Sequence, residues 1–210
     1  PSAGLALQTA LERAEVNVGD IDLFDFYSCF PIAVSNAIEA LGIAADDPRG
    51  LTLTGGLPYF GGPGNSYSMH AIAEAVARLR SGQGRLALIA ANGGFLTKYA
   101  VGIYGRAPSP YRPIGNEDLD QKMQSIGTVP FESKPSGQAR IESYTVAFNR
   151  EGSATMSIVT ARLEGSNARC LARSGDGDTQ TPIQTISDDP VGRNIAIQAG
   201  ENFNTFLFAD

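Results

Sequence analysis

Helical periodicity and short apolar runs alternate through the first half of the chain. Leu7, Leu11 and Ala14 share one face of an amphipathic helix. The runs 21–26 and 86–91 have the largely apolar character of strands covered on both faces. We predict helices 3–14, 31–42 and 66–81, and strands 21–28, 51–54, 85–91 and 95–104. This order is typical of a layered α/β domain built from βαβ units.

The pattern changes near Arg106. Residues 107–138 contain five prolines among scattered charges and indicate a linker. Beyond it, turn residues separate short alternating runs, and we predict strands 140–148, 155–163, 169–173, 194–198 and 205–208. Regularly spaced strands without helices are typical of a small barrel or sandwich. The predicted fold class is therefore α/β for residues 1–106, followed by a small all-β barrel at 139–210.

Composition narrows the class of protein. Apolar residues make up 42% and charged residues 18%, as in soluble globular proteins. No run is long enough to span a bilayer, and no secretion signal is present, so we expect no membrane partner. Cys29 and Cys170 lie far apart without metal-ligand spacing, which predicts neither a disulfide nor a metal site. A reducing cytoplasm is the expected location.

The charge of the C-terminal part bears on nucleic-acid binding. From Ala107 onward, nine basic residues stand against thirteen acidic ones. A barrel that binds nucleic acid needs a basic groove studded with aromatic residues. We therefore expect no nucleic-acid partner.

A glycine-dense turn lies between the predicted strand 51–54 and the helix 66–81. Glycines remove side chains that would block a ligand, and those of the turn are Gly55, Gly56, Gly61, Gly62 and Gly64. The helix opened by Asn65 or Ser66 offers N–H groups to an anion or an oxyanion. The spacing matches neither common phosphate-binding motif. The alternative interpretation is a plain connecting loop.

Three segments resemble thiolases. Gly55-Gly56 followed by Gly61-Gly62-Pro63 keeps the spacing of a glycine motif in the C-terminal half of thiolases, with Thr52 in place of its leading Asn. Residues 20–30 resemble, in register, the stretch that leads into a helix of that half. Residues 90–94, Ala-Ala-Asn-Gly-Gly, fall where thiolases have Cys-x-Gly-Gly-Gly. The order of the three is also that of thiolases, and the sequence 27–30 looks most like the sterol-carrier-type, thiolase-like branch.

The resemblance implies a function and partners. It implies the C-terminal half of an acetyl-CoA acetyltransferase-like protein of lipid metabolism, with acyl-CoA or coenzyme A as substrate and no tightly bound cofactor. The nucleophilic Cys of a thiolase belongs to the N-terminal half, which would be a separate, missing part. We expect the face that this half covers to promote homo-oligomers or pairing with another chain. A looser resemblance links 139–146 and 159–163 to oligonucleotide-binding-fold modules found beside such thiolases.

The same resemblance shows three departures. The family's catalytic Asn, His and Cys are replaced by Tyr27, Gly62 and Ala90. Two hypotheses follow. The first is an acyltransferase with a remodelled acid/base set, and the second is a module that binds acyl-CoA without thiolysis.

The remaining candidates are weighed individually. His70 is the only imidazole and Cys29 lies at a helix start, so both are candidate catalytic residues, although packing roles are the commoner outcome. Tyr27 and Asn92 are expected to line a site and to hydrogen-bond an acyl carbonyl or a water. Gly93 and Gly94 follow Asn92 as substrate-binding candidates. Because these residues follow strand ends, we expect Tyr27, the glycine turn and the Asn92 loop to converge on one pocket.

Overall fold

The computed structural model describes residues 2–109, 115–174, 183 and 189–209. The chain divides into two compact units, Pro1–Ile126 and Gly127–Asp210. No helix in the described ranges is both long and apolar enough to cross a membrane.

The first unit combines helices with a three-stranded sheet. Its helices are α1 (Ser2–Ala14), α2 (Pro31–Leu41), α3 (Leu57–Phe60), α4 (Tyr67–Arg80) and α5 (Glu117–Ser125). Its strands are β1 (Leu23–Phe26), β2 (Leu86–Gly93) and β3 (Lys98–Gly105). Strand β2 is central, parallel to β1 and antiparallel to β3. The mixed α/β class predicted for this part of the chain is confirmed.

Alternating residues of the strands belong to two separate hydrophobic clusters. Phe24 and Leu88 belong to one cluster with Leu7 of α1 and Ala37 of α2. Residues of the opposite parity, Leu23, Ala87 and Ile89, belong to another cluster with Ala71, Ala75 and Leu79 of α4. Since successive side chains of a strand point to opposite faces, the sheet lies between α1 and α2 on one side and α4 on the other.

The strand predicted at 51–54 is absent, which corrects that prediction. Leu51 contributes one backbone contact, as its carbonyl accepts a hydrogen bond from the N–H of Phe26 at 3.0 Å. The next amides, of Leu53 and Thr54, donate to the Asp25 side chain instead of to a neighbouring strand. The Asp25 carboxylate therefore accepts the hydrogen bonds that these amides would otherwise donate to the backbone of a neighbouring strand.

The stretch predicted to be a linker, 107–138, contains ordered elements. Helix α5 lies within it and β4 begins at Gly137, near its end. Arg13 of α1 holds the start of α5, because its guanidinium donates to the Asp118 carboxylate at 2.6 Å and to the Gly115 carbonyl at 2.9 Å. Residues 110–114 of the predicted linker lie outside the described ranges.

The second unit is a closed barrel of five strands, β4 (Gly137–Phe148), β5 (Ala154–Leu163), β6 (Arg169–Arg173), β7 (Asn194–Gln198) and β8 (Thr205–Phe208). Around the barrel the order is β4-β5-β6-β8-β7, and β4 also pairs with β7. Alternate residues such as Ile141, Val159, Ala161, Cys170 and Ile195 fill the interior. The predicted barrel is confirmed, because period-two alternation places one side of each strand in the core.

Candidate functional site

A buried carboxylate lies under the glycine turn. All four residues of β1 are buried, and the Asp25 side chain is 0% exposed. Asp25 Oδ2 accepts hydrogen bonds from the N–H groups of Leu53 at 2.8 Å and Thr54 at 3.3 Å. Burial raises the pKa of Asp25, although these two N–H donors lower it in part. Oδ1 has no partner within the described part of the chain.

Thr54 connects this carboxylate to helix α4. Its Oγ1 lies 3.4 Å from Asp25 Oδ2 and 2.6 Å from the hydroxyl of Tyr67, the first residue of α4. Thr54 Oγ1 also accepts a hydrogen bond from the Gly56 N–H at 3.4 Å. Tyr67 is fully buried, and burial raises its pKa. One threonine thus ties β1, the glycine turn and α4 together.

The glycine turn packs against Ser28, which follows β1. The N–H of Leu57 donates to Ser28 Oγ at 2.9 Å. Gly56 is buried with φ at 88°, and a Cβ there would lie 3.3 Å from the same oxygen. Gly62 differs, since its φ is not positive and a Cβ would meet nothing within 4 Å. The turn is therefore fixed at one end and open at the other.

A second feature of the turn is the short helix α3, which the sequence did not predict. The helix predicted at 66–81 is observed as α4, preceded by a 3₁₀ turn at Gly64–Ser66 that contains Asn65. Ser66 is the N-cap residue of α4, but its hydroxyl donates to the Pro63 carbonyl at 2.8 Å rather than capping the helix.

Among the described residues, two intervening rings link Tyr27 to His70. The Tyr27 ring meets Tyr67 edge-on at 5.2 Å, and Phe60 contacts Tyr67 at 5.9 Å. His70 lies against Phe60 with ring centroids 5.1 Å apart. The His70 side chain is exposed, and it forms no hydrogen bond to another described residue. Its observed contact is thus aromatic packing.

Cys29 and Asn92 are brought together by the parallel pairing of β1 with β2. Asn92 Nδ2 donates to Cys29 Sγ at 3.3 Å, and Asn92 Oδ1 is buried without a partner among the described residues. Gly93 is the last residue of β2, and Gly94 lies in the turn that leads to β3. Two sequence-predicted candidates therefore meet at the carboxyl ends of the parallel strands, where α/β sheets place their ligands.

Other predicted relationships are not seen. Within the described ranges, no hydrogen bond joins Cys29 to His70 or Asn92 to the glycine turn. Two cavities of the first unit lie elsewhere: one of about 500 Å³ between α1 and α2, and one of about 770 Å³ beside α1, β3 and α5. Convergence of Tyr27, the turn and Asn92 on one pocket stays a prediction. Nor do three His, Cys, Asp or Glu side chains of the described residues group as metal ligands would.

Sequence reasoning missed the four residues that hold the turn, namely Asp25, Ser28, Thr54 and Tyr67. One signal was available, since Asp25 interrupts an otherwise apolar strand and a buried carboxylate must find hydrogen-bond donors. No sequence spacing indicated that Thr54 and Tyr67, thirteen residues apart, would share a hydrogen bond.

Comparison with known proteins indicates the class to which this chain belongs. A family model described as the thiolase-like protein type 1 additional C-terminal domain matches residues 118–202. The chain belongs to the thiolase-like superfamily, as the sequence motifs predicted.

A solved structure extends the likeness over both units. The crystal structure of a monomeric SCP2-thiolase like protein type 1 from Mycobacterium smegmatis is 40% identical, with a TM-score of 0.89. The match covers 100% of this chain and 45% of that chain, so the present chain spans less than half the length of its structural relative. Comparison with curated proteins gives no match.

Proposed function

We propose that this chain is the C-terminal half of a thiolase-like acyl-CoA acyltransferase whose acid/base residues have been lost. In this proposal the protein binds acyl-CoA thioesters and transfers acyl groups far more slowly than an ordinary thiolase. The superfamily and the high similarity to an SCP2-thiolase like protein support the class. The partner is an N-terminal thiolase half that carries the nucleophilic Cys.

The observation that carries the proposal is the chemistry of the three replaced positions. Ala90 is 1% exposed and belongs to the hydrophobic core, and its side chain offers no thiol. Gly62 faces open space without a side chain. Tyr27 packs edge-on against Tyr67. A nucleophilic thiol requires a base within hydrogen-bond reach, and none of these three residues supplies an imidazole or a carboxylate.

Binding, in contrast, is compatible with what remains. The N–H groups of Gly55 and Gly62 form no hydrogen bond to another described residue. Asp25, Thr54 and Ser28 hold the Gly55 end of this turn in place, whereas Gly62 lies at its open end. Preorganised N–H groups suit the carbonyl oxygen of a thioester, in the ground state and as an oxyanion. The Asn92 amide, whose oxygen has no partner among the described residues, would contribute a further polar group at the strand ends.

The proposal extends to the architecture and the setting. We propose that the first unit is the incomplete layered half-domain of a thiolase and that the barrel is of the oligonucleotide-binding-fold type without nucleic-acid function. Helix packing on both faces of the sheet supports the first statement, and the closed five-stranded barrel supports the second. The expected setting is cytoplasmic lipid metabolism, with coenzyme A as substrate and no tightly bound cofactor.

Thiolysis of acetoacetyl-CoA by a protein that contains both halves tests the proposal. We expect saturable acetyl-CoA binding by calorimetry but turnover reduced by about 100- to 10,000-fold for each missing acid/base group. Gly62→His restores an imidazole at a position that accepts a side chain, so it should raise turnover, whereas Gly62→Ala should not. Ordinary thiolase turnover by the unmodified protein would refute the loss of acid/base catalysis. Binding with no turnover in any variant would favour the acyl-CoA-binding module, and absence of binding would refute both functions.

A further inference from the structure

Three arginines stand in register across the outer surface of the barrel. Arg140 of β4 is paired with Arg162 of β5, which is paired in turn with Arg169 of β6. Residues directly opposite one another in a sheet project to the same face. The flanking residues Ala139 and Ile141 are buried, so this row points away from the core. We call Arg140, Arg162 and Arg169 the arginine row.

Adjacent like charges in a sheet repel, and one carboxylate relieves part of this repulsion. Glu142 accepts the Nε–H of Arg162 through Oε1 and the Nε–H of Arg169 through Oε2, each at 2.6 Å. Hydrogen bonding from Arg169 is the main cause that lowers the pKa of Glu142. Glu142 thereby fixes two guanidinium groups side by side, and it cannot neutralise all three cations.

The row borders a cavity of about 810 Å³. Its charged lining consists of the arginine row, Glu142 and Glu164, three cations against two carboxylates. This volume lies in the range of small-molecule sites, and the cavity also has apolar walls from Leu163 and Val191.

Two of the guanidinium groups have N–H donors without an acceptor among the described residues. The Nε of Arg140 donates to the Gly192 carbonyl at 2.9 Å, and the Nε of Arg169 donates to Glu142. The terminal Nη groups of both form no hydrogen bond to any other residue in the described ranges. Such planar groups, held in place through Nε, match the oxygens of a phosphate in a bidentate manner.

We propose that this cavity binds a small phosphate-bearing anion, such as pyrophosphate or a nucleoside diphosphate, through the arginine row. The site lies wholly within the second unit and does not depend on the function proposed for the first. A bound phosphate would supply the negative charge that Glu142 alone does not provide.

A small anion fits better than a nucleic acid. From Gly127 onward the chain has seven basic and ten acidic residues, so the row is a local exception on an acidic unit. Single-stranded nucleic acids bind along extended basic grooves with aromatic residues that stack on bases. None of the described residues that line the cavity is aromatic.

Calorimetric titration of the whole chain with pyrophosphate and with ADP tests the site. We expect saturable binding that weakens with added salt, and a loss of at least about tenfold in affinity for Arg140→Gln and Arg169→Gln, since each removes a charged bidentate donor. Arg150→Gln is the matched control, because Arg150 is exposed at the turn between β4 and β5, outside the row. It should bind like the unmodified protein. Circular dichroism verifies that each variant is folded, and Arg169→Lys, which keeps the charge but not the fork, should also bind more weakly.

The outcomes separate the sources of the phosphate. Equal affinity for pyrophosphate and ADP would identify the phosphates as the recognised group, and tighter ADP binding would identify a nucleotide. Absence of saturable binding at millimolar ligand would overturn the proposal. Equal weakening by Arg150→Gln, or preference for a single-stranded oligonucleotide, would overturn it as well, because either would indicate a general electrostatic surface.

Discussion

The hydroxyl oxygens of Thr54 and Tyr67 lie 2.6 Å apart and join the start of the glycine turn to the first residue of helix α4. The same Thr54 oxygen lies 3.4 Å from the buried Asp25 carboxylate. Three segments that are distant in sequence are therefore held by one small polar cluster in an apolar surrounding. Hydrogen bonds in such a setting are costly to remove, because an orphaned partner keeps its desolvation cost.

Tyr67→Phe should destabilise the protein by about 1–2 kcal/mol, since it leaves the half-buried Thr54 hydroxyl with one partner fewer. The measurement is the midpoint of urea unfolding followed by circular dichroism. Tyr99→Phe is the matched control. Burial raises the pKa of Tyr99 to about 12, and its hydroxyl has no hydrogen-bond partner in the described part of the chain. Equal midpoint shifts for the two variants would show that the Thr54 contact contributes nothing specific.

The Asp25 carboxylate should make stability depend on pH. Burial raises its pKa in the folded state above the ordinary value of 3.8. The folded protein therefore binds this proton more tightly than the unfolded chain, so the Asp25 contribution to stability falls as pH rises above about 3.8 and levels off beyond the folded pKa. Asp25→Asn, which keeps an acceptor for Leu53 and Thr54, should remove this contribution.

The test compares the pH dependence of stability in the unmodified protein with that in Asp25→Asn. The pH dependence of the unmodified protein alone is not informative, because Asp22 and Glu142 have lowered pKa values and make stability rise with pH. Unfolding free energies of the unmodified protein and Asp25→Asn, measured by urea at several pH values from 3.5 to neutrality, should diverge in favour of the variant as pH rises. Parallel curves would mean that Asp25 titrates alike in folded and unfolded chains.

Most elements could be predicted from the sequence because their stability follows from a local pattern. The periodicity of Leu7 and Leu11 gave α1, and two-residue alternation gave the barrel strands. The predicted strand at 51–54 was wrong, and no local sequence pattern could have indicated this. The amides of Leu53 and Thr54 have a side-chain acceptor on another strand, and this long-range contact replaces pairing.

The candidate site was predictable to a similar extent. Cys29 and Asn92 meet because Cys29 follows β1 and Asn92 lies near the carboxyl end of the parallel strand β2, and that consequence of topology can be inferred from the βα alternation. The surroundings of His70 could not be inferred. The sequence predicted only that His70 lies in the helix 66–81, and the short helix α3 brings Phe60 against it. A helix of four residues carries too little sequence signal to be found in advance.

Gly56 and Gly62 form a matched pair for testing how the turn is held. Gly56→Ala should cost about 1–2 kcal/mol, because φ is 88° and the new methyl group would press on Ser28 Oγ. Gly62→Ala should be neutral or slightly stabilising, since φ is compatible and the space is open. Thermal unfolding of the two variants under the same conditions gives the comparison. A larger loss of stability in Gly62→Ala than in Gly56→Ala would show that the turn is held at Gly62 and not at Gly56.

The two cysteines should react very differently with a thiol reagent. Cys170 is 0% exposed inside the barrel, and burial raises the pKa of its thiol, so both access and thiolate formation are suppressed. Cys29 is only half-buried, and it follows β1 and lies beside Asn92. We expect the folded protein to release one equivalent of chromophore from Ellman's reagent and the denatured protein to release two. Cys29→Ser keeps a hydrogen-bond acceptor for Asn92 and should remove the native reaction without unfolding the chain. A native reaction that persists in Cys29→Ser would place the accessible thiol in the barrel and contradict the packing of Cys170.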